Sequence, residues 1–364
     1  MLVSRLINRI FLFPPVCLVW IFFTSIPVYA DVYIDMNIYG YSETVPIVNA
    51  VDQWDGPFTS GTDVFSHDLV EIGISEGRWR LGLLKRYDYE LKFSEATSEF
   101  YYRINNSLAL DVNRTYDLDI VIRQTYSEGV RLAYADSVND KLDYQLSLSY
   151  LRGIALTDGF IRGSATATTS KDYDFLFDVS YVYSRDTLFD RIVDEPSGEG
   201  MALDLAFDWR LNNVFTTHLS VKDLYTFIRW YDAPYTTAVA SSASKTYDEN
   251  NYVVYNPVIS GLEKNRDFTQ RIPMRVEIEA EYSIAEQYSL VTALNLMRNF
   301  NYYQVGLNYA LDAKALINAM YIPGLRSVSL AYRGEHLNLQ LITDSLKINS
   351  ARSLGFHLAY VWVW

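Results

Sequence analysis

Past residue 30 this chain of 364 residues has no cysteine, because its one thiol is Cys17. Disulfides and thiolate metal sites are therefore excluded from that part, and its stability has to come from packing and hydrogen bonding. Long apolar runs are also missing. No stretch after residue 30 approaches the roughly 18 consecutive apolar residues that a membrane-crossing helix needs. Basic excess is absent: Asp and Glu outnumber Lys and Arg by 44 to 31, the net charge is −13, and no basic patch invites nucleic acid. The common catalytic signatures are missing as well. There is no HExxH, no phosphate-cradling glycine loop and no GxSxG elbow. The four histidines, His67, His218, His336 and His357, stand at no metal-ligand spacing, so no cofactor, no metal and no enzyme is expected. Helical periodicity is scarce throughout.

What is there begins with an export signature. Arg5 and Arg9 form a basic start, and Ile10 to Phe23 make a mostly apolar stretch. Val28-Tyr29-Ala30 then offers compatible residues for cleavage, which predicts residues 1–30 as a cleaved secretory signal peptide and Asp31 as the mature N-terminus. Pro14-Pro15 break the apolar stretch, which is short for a membrane span. The same prolines, with Val16, stand before Cys17 where a lipoprotein site would carry small residues. Cleavage removes two Arg and no acid, moving the net charge from −13 to −15.

Alternation of period two recurs through the rest. Val32, Ile34, Met36 and Ile38 alternate with Tyr33, Asp35 and Asn37; Leu118, Ile120 and Ile122 alternate with Asp117, Asp119 and Arg123. Leu142, Tyr144, Leu146, Leu148 and Tyr150 do so against Asp143, Gln145, Ser147 and Ser149. Segments 173–183 and 201–210 repeat the pattern, with Asp174 and Asp178, then Asp204, Asp208 and Arg210, on the polar side. Such segments are strands with one apolar and one polar face. A soluble sandwich gives the same alternation. Three features favour a membrane barrel: segments of about 9–12 residues, enough to cross hydrocarbon at a tilt; aromatic residues near segment ends, as at Trp79, Tyr116, Tyr183, Trp209 and Trp230; and full charges on the polar faces, which a wet lumen tolerates.

The C-terminus carries the strongest local signal. Phe356, Leu358, Tyr360, Trp362 and Trp364 alternate with Gly355, His357, Ala359, Val361 and Val363, and the chain ends on an aromatic. Here the sequence resembles the closing strand of bacterial outer-membrane β-barrel proteins, a porin-like superfamily of Gram-negative bacteria. Ser353, Gly355, Leu358 and Tyr360 occupy the positions of that superfamily's assembly signal, with Trp362 and Trp364 completing it. The resemblance implies an all-β, antiparallel, up-and-down transmembrane barrel over 31–364, with outer-membrane lipid and the barrel-assembly machinery as partners. Strand counting predicts about 16 strands, within about 14–18. Tight turns near Gly334-Glu335, Asp312-Ala313, Ala285-Glu286 and Leu211-Asn213 fall on the periplasmic side; connections 185–199 and 231–270 fall outside, the second as a long external loop.

The polar faces give the candidate site. Asp117, Asp119, Asp174, Asp178, Asp204 and Asp208 supply carboxylates, Arg275, Glu277, Glu279 and Glu281 form a row on one strand, and Arg123, Arg131, Arg210 and Lys222 oppose them. Rings of carboxylates in a pore select cations; the alternative is a lumen filled by cross-strand ion pairs. The reading that follows is a porin or substrate-specific channel for small hydrophilic solutes with a mild cation preference. The alternatives are a barrel enzyme acting on lipid or peptide, and a non-conducting barrel in envelope assembly, secretion or adhesion. His218-Leu219-Ser220 resembles the His-x-Ser pair of outer-membrane phospholipases, with Asp232 to orient the ring, but Val221-Lys222 replaces their Asn-Gly. His67-Asp68 resembles the acid/His pair of outer-membrane proteases, although adjacent strand residues face oppositely.

Overall fold

The computed structural model describes residues 30–363 except 52–53, 189–190, 243–244, 248–252, 256–257 and 299. The export signature up to Tyr29 and the terminal Trp364 lie outside the described residues. Strands dominate. The first eight are β1 (Asp31–Ser42), β2 (Asp63–Glu76), β3 (Trp79–Phe93), β4 (Thr115–Asn139), β5 (Leu142–Ala167), β6 (Tyr173–Tyr183), β7 (Ser197–Arg210) and β8 (Phe215–Ser241). A short pair follows, β9 (Lys245–Tyr247) and β10 (Val253–Tyr255), then β11 (Val258–Gln270) and β12 (Arg275–Ala285). The chain closes with β13 (Tyr288–Leu296), β14 (Asn301–Ala310), β15 (Leu316–Ile322), β16 (Ser327–Arg333), β17 (Leu337–Thr343) and β18 (Ser353–Trp362). Two helices, α1 (Ile47–Val51) and α2 (Glu95–Asn105), sit in connections.

The sheet closes on itself. β1 pairs antiparallel with β18 from Val32 opposite Trp362 to Tyr41 opposite Ser353, so the C-terminal aromatic strand is the closing strand. β6 and β7 share one place in the wall between β5 and β8, and β11 and β12 share the place beyond β8. The barrel therefore has 14 strands, and β9 with β10 form a separate pair outside it, making 16 in all. A closed barrel leaves no unpaired backbone edge, the condition for strands to cross lipid. Short turns lie at the end that carries both termini. Gly77 closes the β2–β3 turn at φ +57°, a conformation that costs a glycine little.

One reading of the connections is corrected. The segment 231–270 is strand over most of its length, because β8 continues to Ser241 and β11 starts at Val258. Its Tyr, Thr and Val content suits a pleated surface as well as a loop, and Tyr235–Ser241 pairs with both β6 and β11. The connection between β6 and β7 interrupts the wall at the end away from the termini, the side expected for it: the chain leaves the sheet after Tyr183, paired to Thr157, and returns at Gly198, paired to Gly153. The stretch 88–115 contains α2, whose N-cap Ser94 accepts from the Thr97 N–H at 3.1 Å.

The outer face explains where the barrel sits. Leu81, Leu83, Val130, Leu132, Leu146 and Leu148 point outward and are exposed, which water would penalise and hydrocarbon does not. Below them, toward the termini, Trp79, Tyr134, Tyr144, Trp209, Tyr282, Tyr288, Tyr309, Tyr360 and Trp362 form an aromatic girdle. Its rings touch across strands, Trp79 to Tyr134 at 4.6 Å and Tyr288 to Tyr309 at 5.1 Å. The apolar run ends on a cross-strand row of charge: Lys85, Glu128, Arg152, Glu199 and Arg229 are successive partners on β3, β4, β5, β7 and β8. Above that row the same face is covered again. Tyr116, Leu118, Ile120 and Ile122 of β4 are buried with Trp54 and with Phe100 and Tyr101 of α2. The barrel spans the outer membrane at the girdle level, and β4, β5 and β8 continue into an extension with a core of its own.

Candidate lumen site

The site is built by the inward residues. Alternation puts odd positions of β1, β2, β4, β12 and β13 and even positions of β3, β7, β14 and β15 on the lumen face. In the half of the barrel nearer the termini they enclose a cavity of about 850 Å³. Nine inward carboxylates line it against six Arg or Lys, so with neutral histidines the wall is net negative. Most of these charges are paired. Arg131 reaches Glu71 at 2.9 Å and Asp204 at 3.0 Å; Arg333 grips both oxygens of Glu279 at 3.0 and 3.1 Å. His218 Nδ1 lies 2.7 Å from Asp208, and Arg210 lies 2.8 Å from Asp143.

The densest network crosses the lumen at the inner end of this cavity. Arg86 donates through Nη1 and Nη2 to both oxygens of Asp223 at 2.6 Å, and Arg275 donates to the same carboxylate at 3.0 Å. Asp88 accepts from Arg86 and lies 3.0 Å from His67 Nδ1. Asp223 reaches inward because β8 bulges there, at φ +59°, and the Asp204 carboxylate accepts its backbone N–H at 2.8 Å. A bidentate Arg–carboxylate pair out of water is held by charge and geometry together. Beyond the network the inner face turns apolar. Leu84, Leu151, Leu156, Val182, Ile228 and Trp230 form one buried cluster, and Tyr41, Phe65, Ile322 and Leu325 another, packed by Tyr39 and Phe300. Gly153 is required here, since a Cβ on it would stand 2.4 Å from the Trp230 ring.

The predicted pore residues divide by height. Asp204, Asp208, Arg210, Arg275, Glu277, Glu279 and Glu281 line the cavity together, with Arg131 and Lys222. Asp117, Asp119, Asp174 and Asp178 share the inward face but lie in the extension, and none lines the cavity. Asp119 there pairs with Arg162 at 3.1 Å. Arg123 pairs with Glu90 at 3.1 Å, also away from the cavity. Of the terminal signal, Ser353 and Gly355 face inward, and Leu358, Tyr360 and Trp362 face lipid. Asp208, rather than Asp232, holds the His218 ring, and among the described residues no hydrogen bond joins that ring to Ser220. His67 pairs with Asp88 on β3, while the neighbouring Asp68 accepts from Ser66 on the other face. Sequence reasoning missed Arg86, Asp88, Asp223 and Arg333. The one available signal was Lys222-Asp223, two successive polar residues where alternation allows one.

No family model matches the chain, and no curated protein does. Among solved structures, a monoaromatic hydrocarbon channel, the TodX deltaS2S3 mutant, is 9% identical, with 93% of this chain and 91% of that one covered at a TM-score of 0.47. The Pseudomonas putida toluene transporter TodX is 9% identical over 92% and 89% at 0.42, and a Pseudomonas aeruginosa FadL homologue 11% identical over 92% and 89% at 0.26. The closed strand wall, the exposed apolar band and the girdle fit a bacterial outer-membrane β-barrel protein.

Proposed function

We propose that the barrel is a substrate-specific channel for small hydrophilic solutes with a mild cation preference, exported by cleavage after Ala30 and inserted by the assembly machinery acting on β18. The observation that carries this reading is the polar cavity inside the membrane-spanning half, lined by nine inward carboxylates and six cationic side chains. Fixed charge in a low-dielectric wall focuses potential on whatever enters. Within the row on β12, Glu279 is neutralised by Arg333, whereas Glu277 and Glu281 have no ion-pair partner among the described residues. Those two carboxylates supply the cation preference. A 14-strand wall is wider than the eight-strand barrels that side chains fill completely.

A second reading, passage of small apolar or amphipathic solutes, is favoured by the two apolar clusters beyond the charged network. Conductance and flux separate the two. The purified protein in a planar bilayer should give discrete channel openings, and vesicles containing it should swell in a hydrophilic solute such as glycine. Openings without glycine flux, but with toluene transfer, favour the second reading. A heat-modifiable, membrane-inserted protein with neither conductance nor flux overturns both.

A further inference from the structure

Above the main cavity, next to the charged network, lies a smaller one of about 140 Å³. One cross-strand row runs Ser220, Glu277, Asn295, Tyr302 over β8, β12, β13 and β14, all on the lumen face. On one side of it Lys222 is paired with Arg275; on the other, Glu279, Ala293 and Gln304 continue the wall. Arg275 is committed to Asp223 at 3.0 Å. Lys222 and Glu277 both line the small cavity, yet among the described residues neither has an ion-pair partner, and they do not pair with each other. Two amides make the same point. Among the described residues, Gln304, 6% exposed, has no hydrogen-bond partner for its Oε1, and Asn295 Nδ2 is also buried without one. A buried polar atom left unmatched costs free energy, and several of them turned to one cavity describe the groups that would complete it.

The inventory is specific. Lys222 and Asn295 Nδ2 donate, while Glu277 and Gln304 Oε1 accept. The remaining wall includes Met297 and Ile342. We infer that this cavity is a binding site for a small zwitterion of the α-amino-acid type with an apolar side chain. Its carboxylate lies against Lys222 and Asn295, its ammonium against Glu277 and Gln304, and its side chain against Met297, Tyr302 and Ile342. A simple cation or a simple anion would satisfy one half of the site and leave the other charge exposed to a partly dry wall. A zwitterion satisfies both. The inference rests on the channel reading for the route by which the solute reaches the site.

The test uses the full-length folded protein in detergent, with equilibrium dialysis of three labelled probes: L-leucine, 3-methylbutylamine, which lacks the carboxylate, and 4-methylpentanoate, which lacks the ammonium. Leucine should bind saturably, and each half-analogue should bind about tenfold or more weakly, since each loses a charged hydrogen-bonded group. Glu277→Gln should remove the advantage of leucine over 4-methylpentanoate, and Lys222→Gln its advantage over 3-methylbutylamine, in protein that still shifts on heating. If leucine binds no tighter than either half-analogue, or does not bind, the zwitterion site is wrong. The unsubstituted protein decides this even if a variant fails to fold. Conductance of the same preparation separates the two claims. A conducting barrel that ignores leucine discards this inference alone, and a leucine-binding barrel that never conducts discards the channel alone.

Discussion

On β4 a single face meets two environments. Val130 and Leu132 point outward at 41% and 45% exposure, against lipid, whereas Leu118 and Ile120, earlier on the same strand with the same orientation, are 6% and 8% exposed beneath α2. The opposite face changes too. Arg131 is held by Glu71 and Asp204 inside the membrane-level barrel, while Asp117 and Asp119 stand in the open extension. Pairing with β3 and the alternation of faces continue along β4 between these regions, with one register shift against β5 at Tyr126–Ser127, so the difference lies in what covers each face. In the lower region lipid is the apolar partner and the lumen holds paired charge. In the upper one α2 and residues such as Val45, Ala50, Trp54 and Phe58 replace the lipid.

The largest expected effect lies where the regions join. Arg86→Leu strands the Asp88 and Asp223 carboxylates without their main cation, and losing one partner of a buried pair costs about 3–5 kcal/mol. Urea unfolding followed by gel shift should register most of that loss. Unchanged stability would mean that water reaches the network freely. Next comes a substitution that separates the two environments. Leu132→Lys should cost about 2–4 kcal/mol in a bilayer, where a lysine meets hydrocarbon. Leu118→Ala should cost about 2–5 kcal/mol for the cavity it leaves, seen as easier proteolysis of 94–114 with the membrane-level barrel intact. If proteolysis opened both regions together, the extension would not be a separate packing unit.

These contrasts also mark what the sequence could reveal. Alternation identified the strands, and the aromatic terminus identified the closing one, because both depend on local side-chain order that lipid and lumen impose on every strand. Height along the barrel was not legible. Nothing in Leu118-Asp119-Ile120 distinguishes it from Leu203-Asp204-Leu205, and only the lengths of β4, β5 and β8 put the first in the extension. The interruption between β6 and β7 was hidden for the same reason, since leaving a wall and leaving a membrane look alike in composition. The network at Asp223 depends on a bulge and on Arg86, 137 positions away, which no local pattern connects.

Smaller effects follow at the girdle and in the lumen. Trp362→Ser should slow insertion, measured as a lower heat-modifiable fraction after refolding into vesicles, because Trp362 faces lipid beside Tyr360 at a ring distance of 4.5 Å. Insertion at the normal rate would remove the girdle from the account. Glu277→Gln with Glu281→Gln should move the reversal potential under a salt gradient toward anions, more at low ionic strength than at high. Glu279→Gln should instead lower stability by freeing Arg333, with little change in selectivity. The opposite assignment of those two outcomes would exchange the roles of the row.

The contrast along β4 is tested most directly by placing single cysteines from 116 to 134, in a chain whose only native thiol is Cys17, and attaching a fluorophore quenched by brominated lipid. Quenching should alternate with period two at 130–134, strong at the even positions, and be absent at every position from 116 to 122. Alternating quenching that continued to 116, or none at 130–134, would contradict the division of this sheet between membrane and extension.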